Sequence, residues 1–532
     1  MDATESHSLR EPPEPGLRQR PRSVSLLRQT PGFVLIVIAI ADAVRFADPD
    51  LWGHITFGRA VLEQGHLILH DPYSYSAARH LWLNHEWLSE LVDALLFNTF
   101  GVFGLKLAKL CAAAITIVFV ALAESESNAS ELTQLLVLVL SAVVIAPSMQ
   151  FRPQIFTFAL FAILMFLLAR DTYRRRGGLW ITIPMLALWA NLHGGFIMGL
   201  AALGTYASVS AACDWMHGDG IRRAVGLGAI TVGAAAATLL TPYGIGTWIA
   251  VAHALHNPYT RIAVADWQPL FHSLAVVSRQ SLASAAYDAL PLGMMAALAI
   301  AVAISRDIDD LPMLAISAVM GVAAILAIRN ESIAIIAMAS PLTRHGAIAA
   351  RRLGKAAQPE QTAPKPSANL RNQLLPVLAA LAILIGTGFF SKRLTARERY
   401  PAGAVAFMQS HGLHGNILDN FLWGEYLIWH MSPESKVFMD GRYDTVYPQD
   451  VLRAFMLFHF DQPSADAILA RWPHDYIMLP PDDLANRVIA RDLKWKLIYR
   501  DSDTFLYARA GSTAAKIVGE PIEGANPPTT FP

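Results

Sequence analysis

Two carboxylates separated by one proline, Asp48-Pro49-Asp50, close the first apolar stretch of this sequence. A carboxylate held there is suited to take a proton from a reacting hydroxyl group. The proline fixes the geometry between the two acids and stops the turn from continuing as ordinary helix. The loop that follows is dense in acids, histidines and tryptophans, through His70-Asp71-Pro72-Tyr73-Ser74 to Trp82-Leu83-Asn84-His85-Glu86-Trp87. His85 and Glu86 offer ligands to an acceptor or a metal, although they lack the His-Glu-x-x-His spacing of a zinc hydrolase. Cations stand in other turns between apolar runs. Arg152, in Gln150-Phe151-Arg152-Pro153-Gln154, carries a planar fork that matches phosphate. His193, in Asn191-Leu192-His193-Gly194-Gly195, and Arg329, two residues before Glu331, occupy two further junctions. Each also has a purely structural explanation: a solvated helix end for the acids, snorkelling for Arg152, packing for His193, and an ion pair with Glu331 for Arg329. Asp266, in Asp266-Trp267-Gln268-Pro269, lies in a long loop, and loops of that length often carry function.

These residues are positioned by apolar segments. Of 532 residues, 54% are hydrophobic and 16% charged, well short of the charge a soluble domain carries. Lys+Arg and Asp+Glu both number 42, so the chain has no basic footprint for nucleic acid. Cys111 and Cys213 are the only cysteines, which excludes a disulfide framework. The composition predicts a polytopic α-helical membrane protein with about eleven spans, given a bilayer core of about 30 Å. The expected spans are 31–47, 103–123, 131–147, 154–170, 179–192, 195–213, 223–241, 287–305, 311–328, 332–348 and 374–390. Residues 1–30 form a polar tail with no signal-peptide cleavage pattern. Arginine and lysine recur at every second connection, in 1–30, at 170–176, at Arg222–Arg223 and over 344–371. By the positive-inside rule those segments are cytoplasmic. The loops 48–102 and 242–286, the turn 148–153 and everything after 391 then lie outside.

The tail differs in kind. Short apolar runs at Asn416–Leu418, Lys436–Met439, Tyr476–Leu479, Trp495–Tyr499 and Phe505–Ala508 alternate with amphipathic stretches at 402–410, 449–459, 464–471 and 482–491. That alternation predicts a small α/β domain over 391–512, with a core of its own, followed by a disordered tail at 513–532. Asp440, in Asp440-Gly441-Arg442, follows a predicted strand, where open α/β sheets place ligand contacts. It and Arg442 either read a sugar or form an internal ion pair. Neither a Walker-type phosphate loop nor a dinucleotide fingerprint is present, so nucleotide-sugar or ATP use is not supported.

The acidic pair directly after the first span, with the later Asp71-Pro72-Tyr73-Ser74, resembles the GT-C class of membrane glycosyltransferases. More narrowly, the chain is similar to an uncharacterised bacterial group in that class. The shared stretches are Trp82…His85-Glu86-Trp87-Leu88, Arg152-Pro153-Gln154, Trp423-Gly424-Glu425-Tyr426-Leu427 and Val437–Asp444. The resemblance implies a bacterial cytoplasmic-membrane enzyme, its C-terminal domain periplasmic. Such an enzyme moves a hexose or pentose from a polyprenyl-phosphate carrier to a glycan, lipid or protein acceptor, with inversion. It implies Asp48 as the base. Asp50 would orient it or hold a divalent metal ion. Arg152, His193 and Arg329 would bind the donor phosphate. His85, Glu86, Asp266, Asp440 and Arg442 would serve as acceptor or accessory residues. Two other functions compete: a lipid or glycan transporter or flippase, and a non-catalytic glycan-binding scaffold. A transporter usually places its polar site at mid-membrane in paired half-repeats, whereas here the polar residues gather at one face.

Overall fold

The computed structural model describes residues 37, 46–127, 129–218, 220–259, 264–277, 285–286, 288–354, 389–396, 398–460, 465–517 and 530–531. The protein is a polytopic α-helical membrane protein with a small C-terminal α/β region. Among the described residues, five helices are long and apolar enough to cross a bilayer: Val102–Ser125, Glu131–Ser148, Gln154–Arg174, Phe196–Met216 and Ile328–Arg352. Three shorter apolar helices, Leu179–Leu192, Leu290–Ser305 and Leu311–Leu326, fall on three further expected spans. Helix Arg222–Ala237 matches the expected span at 223–241. The expected spans 31–47 and 374–390 lie almost wholly outside the described residues.

Helix Glu331–Arg352 is the axis of the bundle. It packs against Val102–Ser125, Glu131–Ile145, Gln154–Arg174, Leu290–Ser305 and Leu311–Leu326. It is buried on all sides over 332–343, and small residues recur along it: Ala334, Ala337, Ala339 and Ser340 are all nearly inaccessible. In a bilayer, apolar side chains gain little by leaving lipid for protein, so helices associate by close backbone approach, which small residues permit. Arg174 pairs with Glu126 at 3.0 Å, Arg223 with Asp171 at 2.9 Å, and Arg344 with Asp307 at 2.8 Å. Arg152 and Arg174 bracket one helix, so these pairs mark the bundle end opposite the acidic pair.

The tail holds a five-stranded sheet in the order Lys436–Val437, Asn416–Asp419, Tyr476–Leu479, Phe505–Arg509, Trp495–Arg500. The first three strands are parallel and the last two pair antiparallel. Each strand falls on a stretch expected from the sequence. Helix Phe421–Met431 was not expected; Asn420 caps it, accepting the Leu422 N–H at 3.0 Å.

The tail does not keep its core to itself. The sheet edge at Lys436–Val437 is extended by the loop 48–102. Ser74 bridges Val437, the Tyr75 N–H donates to the Val437 carbonyl, and the Val437 N–H donates to the Tyr73 carbonyl, both at 3.2 Å. A second small sheet joins Phe46–Ala47, Leu394–Ala396 and Thr530–Phe531. Two described stretches fall within the expected disordered tail at 513–532. Thr530–Phe531 forms a strand, and Ala514–Lys516 a single 3-10 turn. Phe531 is fully buried, its ring 5.1 Å from Trp52, 5.4 Å from Phe97 and 5.6 Å from Trp429. Aromatic burial of this size outweighs the ordering of a few terminal residues. One hydrophobic core thus runs from Trp52, Phe57 and Trp82 of the loop into Phe407, Phe438 and Phe455 of the tail.

Candidate active site

The loop, the tail and the neighbouring helix ends enclose a cavity of about 1090 Å³. Its wall includes Asp48, Asp50, His85, Glu86, Arg152, His193, Asp266, Arg329 and Arg442. Nine of the ten site residues expected from the sequence therefore meet in one place. The tenth, Asp440, lies just behind the wall.

Asp48 begins the first turn of helix Leu51–Gln64. Its Oδ1 accepts the Asp50 N–H at 3.1 Å, and its carbonyl accepts the Leu51 N–H at 3.1 Å. This is the capping role that short acidic side chains fill at helix starts. Its other oxygen lies 2.7 Å from Arg152 Nε. That N–H is not aimed at the oxygen, so the contact is one of charge. Asp50 Oδ2 is 3.3 Å from Arg152 Nη2, and Asp266 Oδ2 is 3.1 Å from Nη1. One guanidinium thus gathers three carboxylates. The most exposed is Asp266, at 47%, against 4% for Asp48 and 29% for Asp50. Burial pushes the Asp50 carboxyl up to about 6; the Arg152 charge opposes this and the Asp48 carboxylate adds to it.

The segment carrying Asp266 is pinned beside the site. The Ile328 N–H donates to the Gln268 carbonyl at 3.1 Å, and the Arg329 guanidinium lies 4.4 Å from the centre of the Trp267 ring. Gln154 Nε2 donates to the Arg329 carbonyl at 3.3 Å. His193 breaks the chain between helices Thr182–Leu192 and Phe196–Met216 in an extended conformation. Its Nδ1 accepts the Gly195 N–H at 2.9 Å and stands 2.8 Å from Thr157 Oγ1, which itself accepts Trp189 Nε1–H at 2.8 Å. These donors place the His193 proton on Nε2, which faces Glu86 Oε1 at 3.5 Å. Burial lowers His193 to about 3, so the ring is neutral.

Three residues that sequence reasoning did not select lie along the same wall. His54 Nδ1 is 3.4 Å from Glu90 Oε1, and Asn84 Nδ2 donates to Glu90 Oε2 at 2.5 Å. Burial alone would lower His54. The Glu90 bond and the charges of Glu86, Glu90 and Asp50 override it and raise the ring to about 9. Ligand atoms of His54, Glu86 and Glu90 lie within 4.8 Å of one another, a donor set of one imidazole and two carboxylates that suits a divalent ion. Of the residues the sequence offered for a metal, Asp50 is already paired with Arg152, while Glu86 belongs to this set. The third missed residue is Glu425, from helix Phe421–Met431. Acids in otherwise apolar helices were the available signal for Glu90 and Glu425, since such residues are seldom buried without partners.

Asp440 and Arg442 form the internal pair. Arg442 Nε and Nη2 donate to the two Asp440 oxygens at 2.8 and 2.7 Å, and Nη1 donates to Asp71 Oδ1 at 2.8 Å. The guanidinium also lies 4.7 Å from the Trp82 ring centre and 4.9 Å from that of Phe57. Asp71 in turn accepts the Tyr73 and Ser74 N–H groups at 3.0 and 3.1 Å. This network clamps the tail to the loop.

No protein-family model and no curated protein matches the sequence. Solved structures do match in fold. The oligosaccharyltransferase AglB from Archaeoglobus fulgidus, in complex with an inhibitory peptide and a dolichol-phosphate, aligns with a TM-score of 0.59 at 11% identity, over 92% of this chain and 75% of that one. The same organism's enzyme tethered to an acceptor peptide gives 0.54 at 12% identity, over 91% and 74%. ArnT from Cupriavidus metallidurans, bound to undecaprenyl phosphate, gives 0.47 at 12% identity, over 92% and 98%. The archaeal structures carry the comparison: this chain has the GT-C fold, as the sequence resemblance implied.

Proposed function

We propose that this chain is a glycosyltransferase that moves a sugar from a polyprenyl-phosphate carrier to an acceptor on the outer face of the cytoplasmic membrane. The observation that carries the reading is the Asp48–Asp50–Arg152 cluster, set at the outer mouth of a GT-C bundle in a cavity roofed by the tail. In the reaction the acceptor oxygen attacks the anomeric carbon. Its bond to that carbon forms as the bond from carbon to phosphate oxygen breaks, with inversion. The acceptor proton passes to a carboxylate, and the carrier leaves as polyprenyl phosphate. The family resemblance favours Asp48 as the base. The geometry favours Asp50: both acids sit on Arg152, but Asp48 is also tied into its own turn and is 4% exposed, whereas Asp50 is 29% exposed and has raised proton affinity. A base near neutrality works best at neutral pH. Arg152 and Arg329 meet the charge growing on the leaving phosphate. A divalent ion, if bound, would be held by His54, Glu86 and Glu90 and would add positive charge to that wall.

The test is direct. Purified protein in liposomes, given polyprenyl-phosphate hexoses and pentoses and cell-envelope acceptors, releases free polyprenyl phosphate. No release with any donor, from folded protein, removes the reading. The domain limits and orientation belong to the same proposal, and reporter fusions at residues 360 and 450 are expected on opposite sides, the former cytoplasmic. An inside location for residue 450 would separate the tail from an outward-facing donor.

Asp266 competes with the donor in this scheme. Its carboxylate occupies an Arg152 nitrogen that an incoming phosphate needs, so Asp266→Asn is expected to lower the donor KM about threefold or more, the scale of an exposed charge pair. An unchanged or higher KM would show that Asp266 assists binding.

A further inference from the structure

Three arginines line the cavity, and they are not equally occupied. Arg152 meets three carboxylates and Arg442 meets two. Among the described residues, the half-buried Arg329 guanidinium makes no ion pair and no hydrogen bond. Guanidinium groups drawn away from water are normally paired, so this one is open to an anion from outside the chain. Arg152 is a poorer seat for such an anion, which would also meet Asp48, Asp50 and Asp266 there.

What Arg329 does touch is a ring. Its guanidinium carbon lies over the face of Trp267, 4.4 Å from the centre. The two residues come from three-residue turns, Ala265–Trp267 and Ile328–Asn330, joined by the Ile328 N–H on the Gln268 carbonyl at 3.1 Å. Gln154 and Asn330 fix the second turn further, donating to the Arg329 and Ala323 carbonyls at 3.3 and 3.1 Å. A ring face attracts the guanidinium without using its N–H groups, which stay available to a phosphate. It also orders a long side chain before any ligand arrives, which lowers the entropic cost of binding. The same cavity wall carries Ile197, Met198, Val251, Leu255 and Ile333, apolar groups suited to a prenyl chain rather than to a free anion.

We propose that Trp267 is a positioning residue: its ring face holds the Arg329 guanidinium so that the N–H groups receive the phosphate of a polyprenyl carrier. Asp266 and Trp267, consecutive in one turn, then govern the two arginines of the donor site in opposite senses. Asp266 occupies Arg152, and Trp267 presents Arg329. This inference rests on the reading of the chain as a polyprenyl-phosphate-dependent enzyme.

Binding of polyprenyl phosphate to the purified protein, in nanodiscs of zwitterionic lipid, reads the seat without any sugar transfer. Trp267→Ala is expected to weaken that binding about three- to tenfold, the range of a partly buried cation–π contact, and to raise the donor KM by the same factor. Trp267→Phe keeps a ring face and should recover most of the affinity. Trp267→Leu fills similar space without one and should bind as weakly as Trp267→Ala. Polyprenol, which lacks the phosphate, should not distinguish the variants.

Arg329→Gln removes the charge on which Trp267 acts, so adding Trp267→Ala to it should weaken binding by less than about twofold more. Losses that multiply would overturn the proposal. A Trp267→Leu that binds as well as Trp267→Phe would do the same, because the ring would then serve packing alone. So would displacement of the carrier by an equal concentration of phosphatidylglycerol or inorganic phosphate, since the seat would then accept any phosphate. Should no donor support transfer while the binding pattern holds, the glycosyltransferase reading fails and the phosphate seat stands. Wild-type protein that does not bind polyprenyl phosphate removes the seat itself.

Discussion

Asp50→Asn is expected to slow sugar transfer by about 10²–10⁴-fold while leaving donor binding nearly intact. The substitution preserves shape and removes the proton acceptor. Donor affinity rests on the guanidinium of Arg152, which keeps Asp48 and Asp266 as partners in the variant. The wild-type pH profile carries the same signature. With its pKa raised to about 6, Asp50 is a carboxylate above about pH 7 and protonated below about pH 5. A base acts only when ionised, so the rate should fall on the acid side with a midpoint near pH 6, and Asp50→Asn should flatten that limb. Asp48→Asn is the control. If it removes the limb and Asp50→Asn does not, the base is Asp48, as the family resemblance alone suggests.

The second large effect is on assembly. Arg442→Ala leaves Asp71 and Asp440, both nearly inaccessible, without their shared counter-charge. Removing one partner of a buried ion pair costs about 3–5 kcal/mol, because the remaining charge is neither solvated nor matched. Contacts with the Phe57 and Trp82 rings are lost as well. Arg442→Lys should recover only part of the loss, since one ammonium cannot span both carboxylates as the fork does. The measurement is thermal unfolding in detergent, with limited proteolysis at the joint between loop and tail. A variant as stable and protease-resistant as wild type would mean that the clamp is dispensable and the shared core alone holds the tail.

What could be read from the sequence follows the range of the forces involved. Spans such as Val102–Ser125 and strands such as Tyr476–Leu479 are continuous apolar runs, and local patterning reveals them. Asp48, Asp50 and Arg152 were legible because charges at the edge of apolar spans are conspicuous and costly. His54, Glu90 and Glu425 were not, because each lies within a helix and gains meaning only from partners brought together by folding. Phe421–Met431 was missed for a related reason. Its glycine and its aromatic residues read as a motif, while the Asn420 cap that marks it as a helix went unused. Asp440 and Arg442 were found, but adjacency alone cannot separate a ligand site from a clamp. The deciding residue was Asp71, 371 positions away.

The same separation has a consequence for biosynthesis. The Gly53 N–H donates to the Glu425 carboxyl, 372 positions away. A ribosome adding roughly 5–20 residues per second needs on the order of tens of seconds to make that stretch. Through that interval the first loop has neither the Glu425 carboxyl nor the rest of the tail over it. A nascent chain therefore holds its acids and its arginine before the cavity they line is complete. On the proposed function, sugar transfer would begin only after the tail has been made and has closed over the loop.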